Sequence, residues 1–107
     1  MITIKFKQHD DGIRGFSISG HALFSNHGED IVCASVSVLA LGTINSIIRI
    51  CEKQPDIKEG DGFLEMSLPG SIRKSIEAQT LLKSMLYNLQ DIEDQYPDHV
   101  CVCIKAK

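Results

Sequence analysis

Two side chains in the first third of the chain could together perform covalent chemistry. His21 follows a glycine at the end of a predicted strand, and Cys33 lies in the predicted first turn of a long apolar helix. A cysteine attacks as its thiolate, and an ordinary thiol with a pKa of about 8.5 is mostly protonated at neutral pH. The unpaired N–H groups and positive dipole end of a helix N-terminus favour the thiolate and could also hold an oxyanion. With a histidine as proton carrier, the pair is suited to acyl transfer.

Three further residues could support this pair. Asp30 is a good residue to cap the helix, or it could instead orient His21, and the sequence leaves both roles open. Ser37 lies one helical turn beyond Cys33 on the same face, where it could hydrogen-bond near the thiol. His27, in the loop before the helix, is the one credible rival to His21 as the base.

Each of these residues also has a purely structural explanation. Cys33 lies between Val32 and Ala34, and cysteine is among the residue types most often buried in cores. A histidine at a strand end can be satisfied by backbone groups, and a serine in a helix can bond back to its own backbone. Residue types and spacing alone therefore do not decide between a catalytic pair and a packed core.

The elements that must position these residues follow from hydrophobic periodicity. In chain order they are an antiparallel hairpin over residues 1–20, a loop over 22–29, a helix from near Asp30 to about Cys51, a short strand at Ile57, a strand at 64–68, a helix from 71 to about Tyr96, and a strand over 100–104. This order predicts an α+β fold in which two helices pack on a small mixed sheet. Because the last strand is apolar on both faces, we expect it at the centre of the sheet. Residues 1–107 are expected to form a single domain.

The first predicted helix is apolar around most of its circumference. It leaves only a thin polar stripe, made of Ser35, Gly42, Ser46 and Arg49. A helix of this kind is buried on more than one side. We expect one side to face the sheet and another to face a second helix or a second subunit, which suggests a homodimer.

Composition argues against several classes of protein. The net charge is -3 and no Lys/Arg cluster is present, which disfavours direct nucleic-acid binding and anionic membrane surfaces. The alternating N-terminus predicts a strand rather than a signal peptide, and no unbroken apolar run approaches the roughly 20 residues of a spanning helix. We therefore expect a reducing cytoplasm in which the four cysteines are thiols. No Cys-x-x-Cys or phosphate-binding glycine pattern occurs, and Cys101 and Cys103 are expected to be core thiols, so neither a metal nor a cofactor is predicted.

The two candidate residues lie within a longer pattern. Gly20-His21-Ala22 is followed by Gly28-Glu29-Asp30-Ile31-Val32-Cys33-Ala34-Ser35-Val36-Ser37. This arrangement resembles the ribosomal-processing cysteine protease family Prp, whose pattern is a GHA triplet, a short variable loop and then G-x-D-x-V-C-A-A-V-S. Length and element order also match, so the resemblance covers essentially the whole chain. Ser35 departs from the usual alanine, and we expect no effect on chemistry.

The resemblance implies a single cysteine protease-like domain that acts as a cytoplasmic homodimer. Such enzymes remove an N-terminal extension from a large-subunit ribosomal protein, cutting after an aromatic-rich hydrophobic segment, and ribosome maturation needs this step. By the same resemblance Cys33 is the nucleophile, His21 is the general base and acid, and Gly20, Asp30 and Ser37 have supporting roles. We further hypothesise that residues 22–29 form a lid over the substrate, with the loop residues Ala22, Asn26, His27 and Gly28.

Two other classes of function compete with this interpretation. A non-catalytic ribosome-assembly or peptide-binding module could use the same groove. A redox-switch thiol is the third possibility, and the lack of a resolving cysteine near Cys33 in the sequence disfavours it. Rapid, selective alkylation of Cys33 at neutral pH would favour the protease.

Overall fold

The computed structural model describes residues 1–20 and 30–106, and at residue 30 only the backbone. The elements in chain order are strands β1 (Ile2–His9) and β2 (Gly12–Ser19), helix α1 (Asp30–Cys51), strands β3 (Asp56–Gly60) and β4 (Phe63–Ser67), a 3-10 turn (Gly70–Ile72), helix α2 (Ile76–Gln95) and strand β5 (Val100–Ala106). The predicted α+β fold of two helices and a mixed sheet is confirmed.

The five strands form one sheet in the order β3-β4-β2-β1-β5. β1 pairs antiparallel with β2 and parallel with β5, while β4 pairs antiparallel with both β2 and β3. Alternation places Ile2, Ile4 and Phe6 of β1 on one fully buried face. Both helices cover this face, and the opposite face carries half-buried polar side chains such as Lys5 and Ser17.

The expectation that the last strand is central is wrong, because β5 pairs only with β1 and forms an edge of the sheet. Helix α2 and the residue after it cover part of this edge: the Val102 N–H donates to the Glu93 carboxylate at 2.8 Å, and the Val100 N–H donates to the Tyr96 carbonyl at 3.1 Å. These bonds satisfy backbone N–H groups on the edge strand that could otherwise pair with a neighbouring strand. Cys101 and Cys103, expected to be core thiols, are instead half-buried on the face opposite the helices.

Helix α2 begins later than predicted, because residues 70–72 form a separate 3-10 turn. Ser75 is its N-cap, and the Ser75 hydroxyl accepts a hydrogen bond from the Ala78 N–H at 3.2 Å. An N-cap serine satisfies one of the backbone donors left open at a helix start. The buried face of α2 then packs against α1 and the sheet through Ala78, Leu82, Met85, Leu86 and Leu89.

Helix α1 has the predicted bounds. It is strongly apolar despite its thin polar stripe. Among the described residues, the segment Ile31–Cys51 is long and apolar enough to cross a membrane by length and composition alone, so the expectation that no such segment exists is wrong. The core helix of a soluble protein passes the same test. One face of α1 does pack into the core, through Val32, Val36, Ala40, Ile44 and Ile47.

Candidate active site

Cys33 lies in the first turn of α1, as predicted, since the helix begins at Asp30. The first four N–H groups of an α-helix have no intrahelical acceptor, so the backbone here can stabilise an anion. The Cys33 side chain is buried, with 4% of its surface exposed. A peptide carbonyl therefore needs an opening in the surface to reach the sulfur.

A cavity lies along the helix face that carries Cys33. Ser37 and Ala40, at i+4 and i+7 from Cys33, line a cavity of about 510 Å³ between α1 and the ends of β2, β3 and β4. The complete lining is Ile18, Ser37, Ala40, Leu41, Glu59, Gly60, Phe63 and Leu64. Small-molecule sites in proteins are commonly apolar cavities of roughly 300–1,000 Å³. The cavity begins one helical turn from the candidate nucleophile.

The cavity wall includes residues that sequence reasoning missed. Phe63 and Leu64 begin β4, and Glu59 brings a carboxylate to a mostly apolar surface. The strand register supports the placement of Leu64 and Glu59. Ile18 pairs with Leu64 and Leu64 pairs with Glu59, so Ile18, Leu64 and Glu59 lie on the helix-covered face of the sheet. The feature of the sequence that could have indicated this wall is Phe63, an aromatic residue directly after the Gly60-Asp61-Gly62 turn.

Gly20 directly follows β2 and precedes His21, and its conformation requires glycine. Its φ is +134°, and a Cβ atom there would overlap the Met1 carbonyl oxygen. The Gly20 N–H donates to the Gly62 carbonyl at 3.0 Å. The residue before the candidate base is therefore fixed between the chain's first residue and the β3–β4 turn.

Several predicted site residues lie outside what the structure describes. These are His21, the lid residues Ala22, Asn26, His27 and Gly28, and the side chain of Asp30. The approach of His21 to Cys33, the alternative of His27 as the base and the role of the Asp30 carboxylate stay predictions. Ser35, the departure from the family pattern, donates to the Ile31 carbonyl at 2.8 Å, a bond within its own helix.

The remaining cysteines lie apart from Cys33 in the fold. The Cys51 sulfur is 3.8 Å from the Ser75 hydroxyl at the start of α2. The Cys101 and Cys103 sulfurs are 3.7 Å apart, and the hydrogen bond to Cys103 raises the pKa of the Cys101 thiol. Within residues 1–20 and 30–106, no group of three or more His, Cys, Asp or Glu side chains could hold a metal ion.

Comparison with known proteins places the chain in a family. The family model described as Cysteine protease Prp matches residues 1–101. The chain belongs to the cysteine protease Prp family. The Ribosomal processing cysteine protease Prp of Bacillus subtilis (strain 168) is 36% identical over 100 residues, covering 90% of this chain and 89% of that protein. The protein of the same name from Staphylococcus aureus (strain Mu50 / ATCC 700699) is 34% identical over 101 residues, covering 94% and 95%.

Solved Prp structures share the fold. The S. aureus Prp structure in complex with a covalently linked product peptide has a TM-score of 0.86 and 32% identity, covering 98% of this chain and all of that one. The S. aureus Prp complex with a substrate peptide gives the same TM-score at 31% identity and the same coverage. SMU.848 from Streptococcus mutans has a TM-score of 0.91 at 23% identity, covering 100% of this chain and 96% of that one, which shows the fold alone. Membership of the Prp family makes this chain a cysteine protease whose relatives are named for ribosomal processing, and the S. aureus relative has been solved with a substrate peptide and with a product peptide.

Proposed function

We propose that this protease removes the N-terminal extension of a large-subunit ribosomal protein and cuts after an aromatic-rich hydrophobic segment. The observation that carries the proposal is the position of Cys33, in the first turn of α1 and one turn from an apolar cavity. A nucleophile beside such a cavity suits a substrate with large apolar side chains next to the scissile bond. The relatives named for ribosomal processing support the substrate class.

In the proposed mechanism, Cys33 and His21 carry the covalent steps. The Cys33 thiolate attacks the scissile carbonyl carbon, and N–H groups in the first turn of α1 stabilise the resulting oxyanion. His21 gives its proton to the leaving amine as the C–N bond breaks, which leaves an acyl-enzyme thioester. His21 then removes a proton from water, hydroxide attacks the thioester, and the regenerated thiolate leaves. Gly20 and Asp30 support this pair.

The cavity is the proposed binding site for an apolar side chain on the N-terminal side of the cleaved bond. Leu41 and Leu64 give it apolar walls, and the Phe63 ring can pack against an aromatic side chain in a tilted or offset geometry. Ser37 has its supporting role here, because it lines the cavity one helical turn beyond Cys33. The Glu59 carboxylate is a second polar group of the cavity wall that can accept a hydrogen bond from the peptide.

The lid is a separate part of the proposal. Residues 22–29, with Ala22, Asn26, His27 and Gly28, would order over the bound peptide and bring His21 and Cys33 together only when substrate is bound. Limited proteolysis tests the lid directly. Cleavage within residues 22–29 should slow when substrate peptide is added to a Cys33→Ser variant, and equal cleavage with and without peptide would contradict the lid.

A second copy of the chain is the proposed occupant of the exposed face of α1. Ile31, Val38 and Leu41 share this face and are 72%, 69% and 51% exposed. A stripe of this kind marks an interaction surface on a soluble protein. Analytical ultracentrifugation should find a dimer that Val38→Lys converts to a monomer. A wild-type monomer at tens of micromolar would contradict the homodimer.

Ribosome processing places the proposed site of action in the cytoplasm, without a direct nucleic-acid or membrane partner. Because α1 is long and apolar enough to span a membrane, the proposed cytoplasmic location has to be tested by cell fractionation. After cell fractionation the protein should remain in the supernatant of a high-speed spin at moderate salt. Recovery in the membrane pellet, resistant to salt and released only by detergent, would contradict the cytoplasmic location.

Cleavage of a synthetic extension peptide tests the catalytic assignment. Wild-type protein should cut it once, while Cys33→Ser and His21→Ala should each abolish cutting and keep the wild-type circular dichroism spectrum. His27→Ala is the matched control, because it removes the rival base and should keep activity. Full activity in the Cys33→Ser or His21→Ala variant would refute the assignment.

The burial of Cys33 favours one alternative, a non-catalytic peptide-binding module that uses the same cavity. Such a module would bind the extension peptide without cutting it, and Cys33→Ser would leave its affinity unchanged. Mass spectrometry of the incubated peptide separates the two functions. Two product fragments indicate the protease, whereas an intact peptide with measurable binding indicates the module.

A further inference from the structure

The turn between β3 and β4, residues 60–63, contacts both the cavity and the residue before the candidate base. Gly60 and Phe63, at its two ends, line the cavity. Gly62, inside the turn, accepts a hydrogen bond from the Gly20 N–H at 3.0 Å. One short segment therefore joins the proposed substrate site to the strand end that leads into His21.

Gly62 has little room for any other residue. Its φ is +66°, in the left-handed region that glycine adopts without steric cost. A Cβ atom at this position would lie 3.2 Å from the Gly20 carbonyl oxygen and 3.6 Å from the Gly20 carbonyl carbon. The neighbour that must give way on substitution is thus the backbone of Gly20 itself.

Gly20 has backbone on its other side as well. A Cβ atom at Gly20 would overlap the Met1 carbonyl oxygen and lie 3.0 Å from the Ile2 Cα. Ile2 is held in turn by its N–H, which donates to the His99 carbonyl at 2.8 Å. Consecutive Cα atoms across a trans peptide are about 3.8 Å apart, so a displacement of Gly20 is passed on to the chain that follows it.

We propose that Gly62 is a positioning residue for the reaction, which sets the backbone of Gly20 and through it the entry of His21 toward Cys33. The inference rests on the proposed function, in which His21 is the base. Because Gly60 and Phe63 belong to the same turn, a peptide in the cavity contacts the segment that positions the base. Substrate binding and base placement are therefore mechanically linked.

The test compares Gly62→Ala with Gly70→Ala, since a Cβ at Gly70 meets nothing within 4 Å. Displacements of about 1 Å at reacting groups can cost about a hundredfold in rate, so a shift of a few tenths of an ångström should cost about tenfold. Gly62→Ala should lower kcat about tenfold with KM within about threefold of wild type, whereas Gly70→Ala should change neither. The left-handed backbone should also lower the Tm of Gly62→Ala by about 4–8 °C.

Gly62→Asn separates positioning from stability. Asparagine tolerates the left-handed conformation, so the Tm should recover toward wild type, while its Cβ still meets the Gly20 carbonyl. A positioning role predicts a restored Tm with a kcat that stays low. If kcat recovers together with Tm, the role of Gly62 is only structural and the proposal is overturned.

Alkylation of Cys33 supplies a readout that needs no substrate. His21→Ala should shift the pH dependence of iodoacetamide reaction to higher pH, and Gly62→Ala should shift it in the same direction by a smaller amount. A shift in His21→Ala without one in Gly62→Ala overturns the positioning role and leaves the protease intact. If His21→Ala itself gives no shift, the base assignment fails first and the positioning role fails with it.

Discussion

Gln79 offers a stability prediction whose size follows from its contacts. Its side-chain oxygen accepts from the Ile13 N–H at 2.9 Å, and its nitrogen donates to the Ile13 carbonyl at 2.8 Å and the Arg73 carbonyl at 2.9 Å. These bonds tie the start of β2 to the first turn of α2. A Cβ at Gly12 would lie 2.5 Å from the same side-chain oxygen, so the glycine turn makes room for the amide.

Removing the amide should cost about 2 kcal/mol of unfolding free energy. Three hydrogen bonds at about 0.5–1.5 kcal/mol each give about 3 kcal/mol, and water reaching the half-buried site lowers this figure. Alanine is the better helix former, so helix propensity acts in the opposite direction and cannot produce the loss. For a domain of this size the corresponding fall in Tm is about 10 °C.

Urea unfolding followed by circular dichroism measures this effect in Gln79→Ala. Thr80→Ala is the matched control, since its side chain is exposed on the same helical turn and should change stability by less than about 0.5 kcal/mol. A loss in Gln79→Ala no larger than that of Thr80→Ala would refute the reasoning. The urea m-value should be unchanged, which shows that the folded state lost stability and not compactness.

Two further predictions concern a helix cap and a carboxylate. Ser75→Ala should lower the unfolding free energy by about 1 kcal/mol, and Ser75→Asp should retain most of it in urea titrations. The hydrogen bond from Arg14 holds the pKa of the Asp11 carboxyl below its usual value of 3.8. This stabilisation is present above pH 3.8 and is lost as the pH falls through the lowered pKa. Arg14→Met should reduce the loss of Tm on acidification, and an unchanged acid profile would contradict the coupling.

Elements with strong periodicity were predicted closely from sequence. The hairpin over residues 1–20 appears as β1 and β2, because Ile2, Ile4 and Phe6 alternate with polar side chains on the opposite face. Helix α1 has the predicted bounds, because its apolar residues recur at helical spacing from a clear N-terminal signal. Local pattern is sufficient where a strand alternates between buried and polar residues, or where a long apolar segment follows a clear N-terminal signal.

The errors arose where burial depends on distant parts of the chain. β5 looked central because Cys101 and Cys103 count as apolar, although thiols are small enough to lie half-buried on an uncovered face. Its edge donors are instead covered by Glu93 and Tyr96, which no periodicity reveals. The start of α2 was placed too early because residues 70–72 also read as helical, in a 3-10 turn.

The candidate site likewise contains residues that the sequence identifies and residues that only the folded structure brings together. The positions of Cys33 and Gly20 follow from a motif and from neighbouring elements, so sequence was enough to single them out. The cavity joins Ile18, Ser37 and Phe63, which are far apart in the chain and meet only through strand pairing and helix packing. The sequence gives no reason to single out Gly62 as a functional residue. Its proposed role follows from the hydrogen bond that its carbonyl accepts from the Gly20 N–H.

The measurement that tests the central claim most directly is the alkylation rate of each cysteine in the folded protein. Peptide mapping after brief iodoacetamide treatment at neutral pH follows Cys33, Cys51, Cys101 and Cys103 separately. Cys33 should react first despite its 4% exposure, extension peptide should protect it, and Cys101 should be slow because its raised pKa leaves less thiolate. A Cys33 that reacts last, at the same rate with and without peptide, would contradict the account.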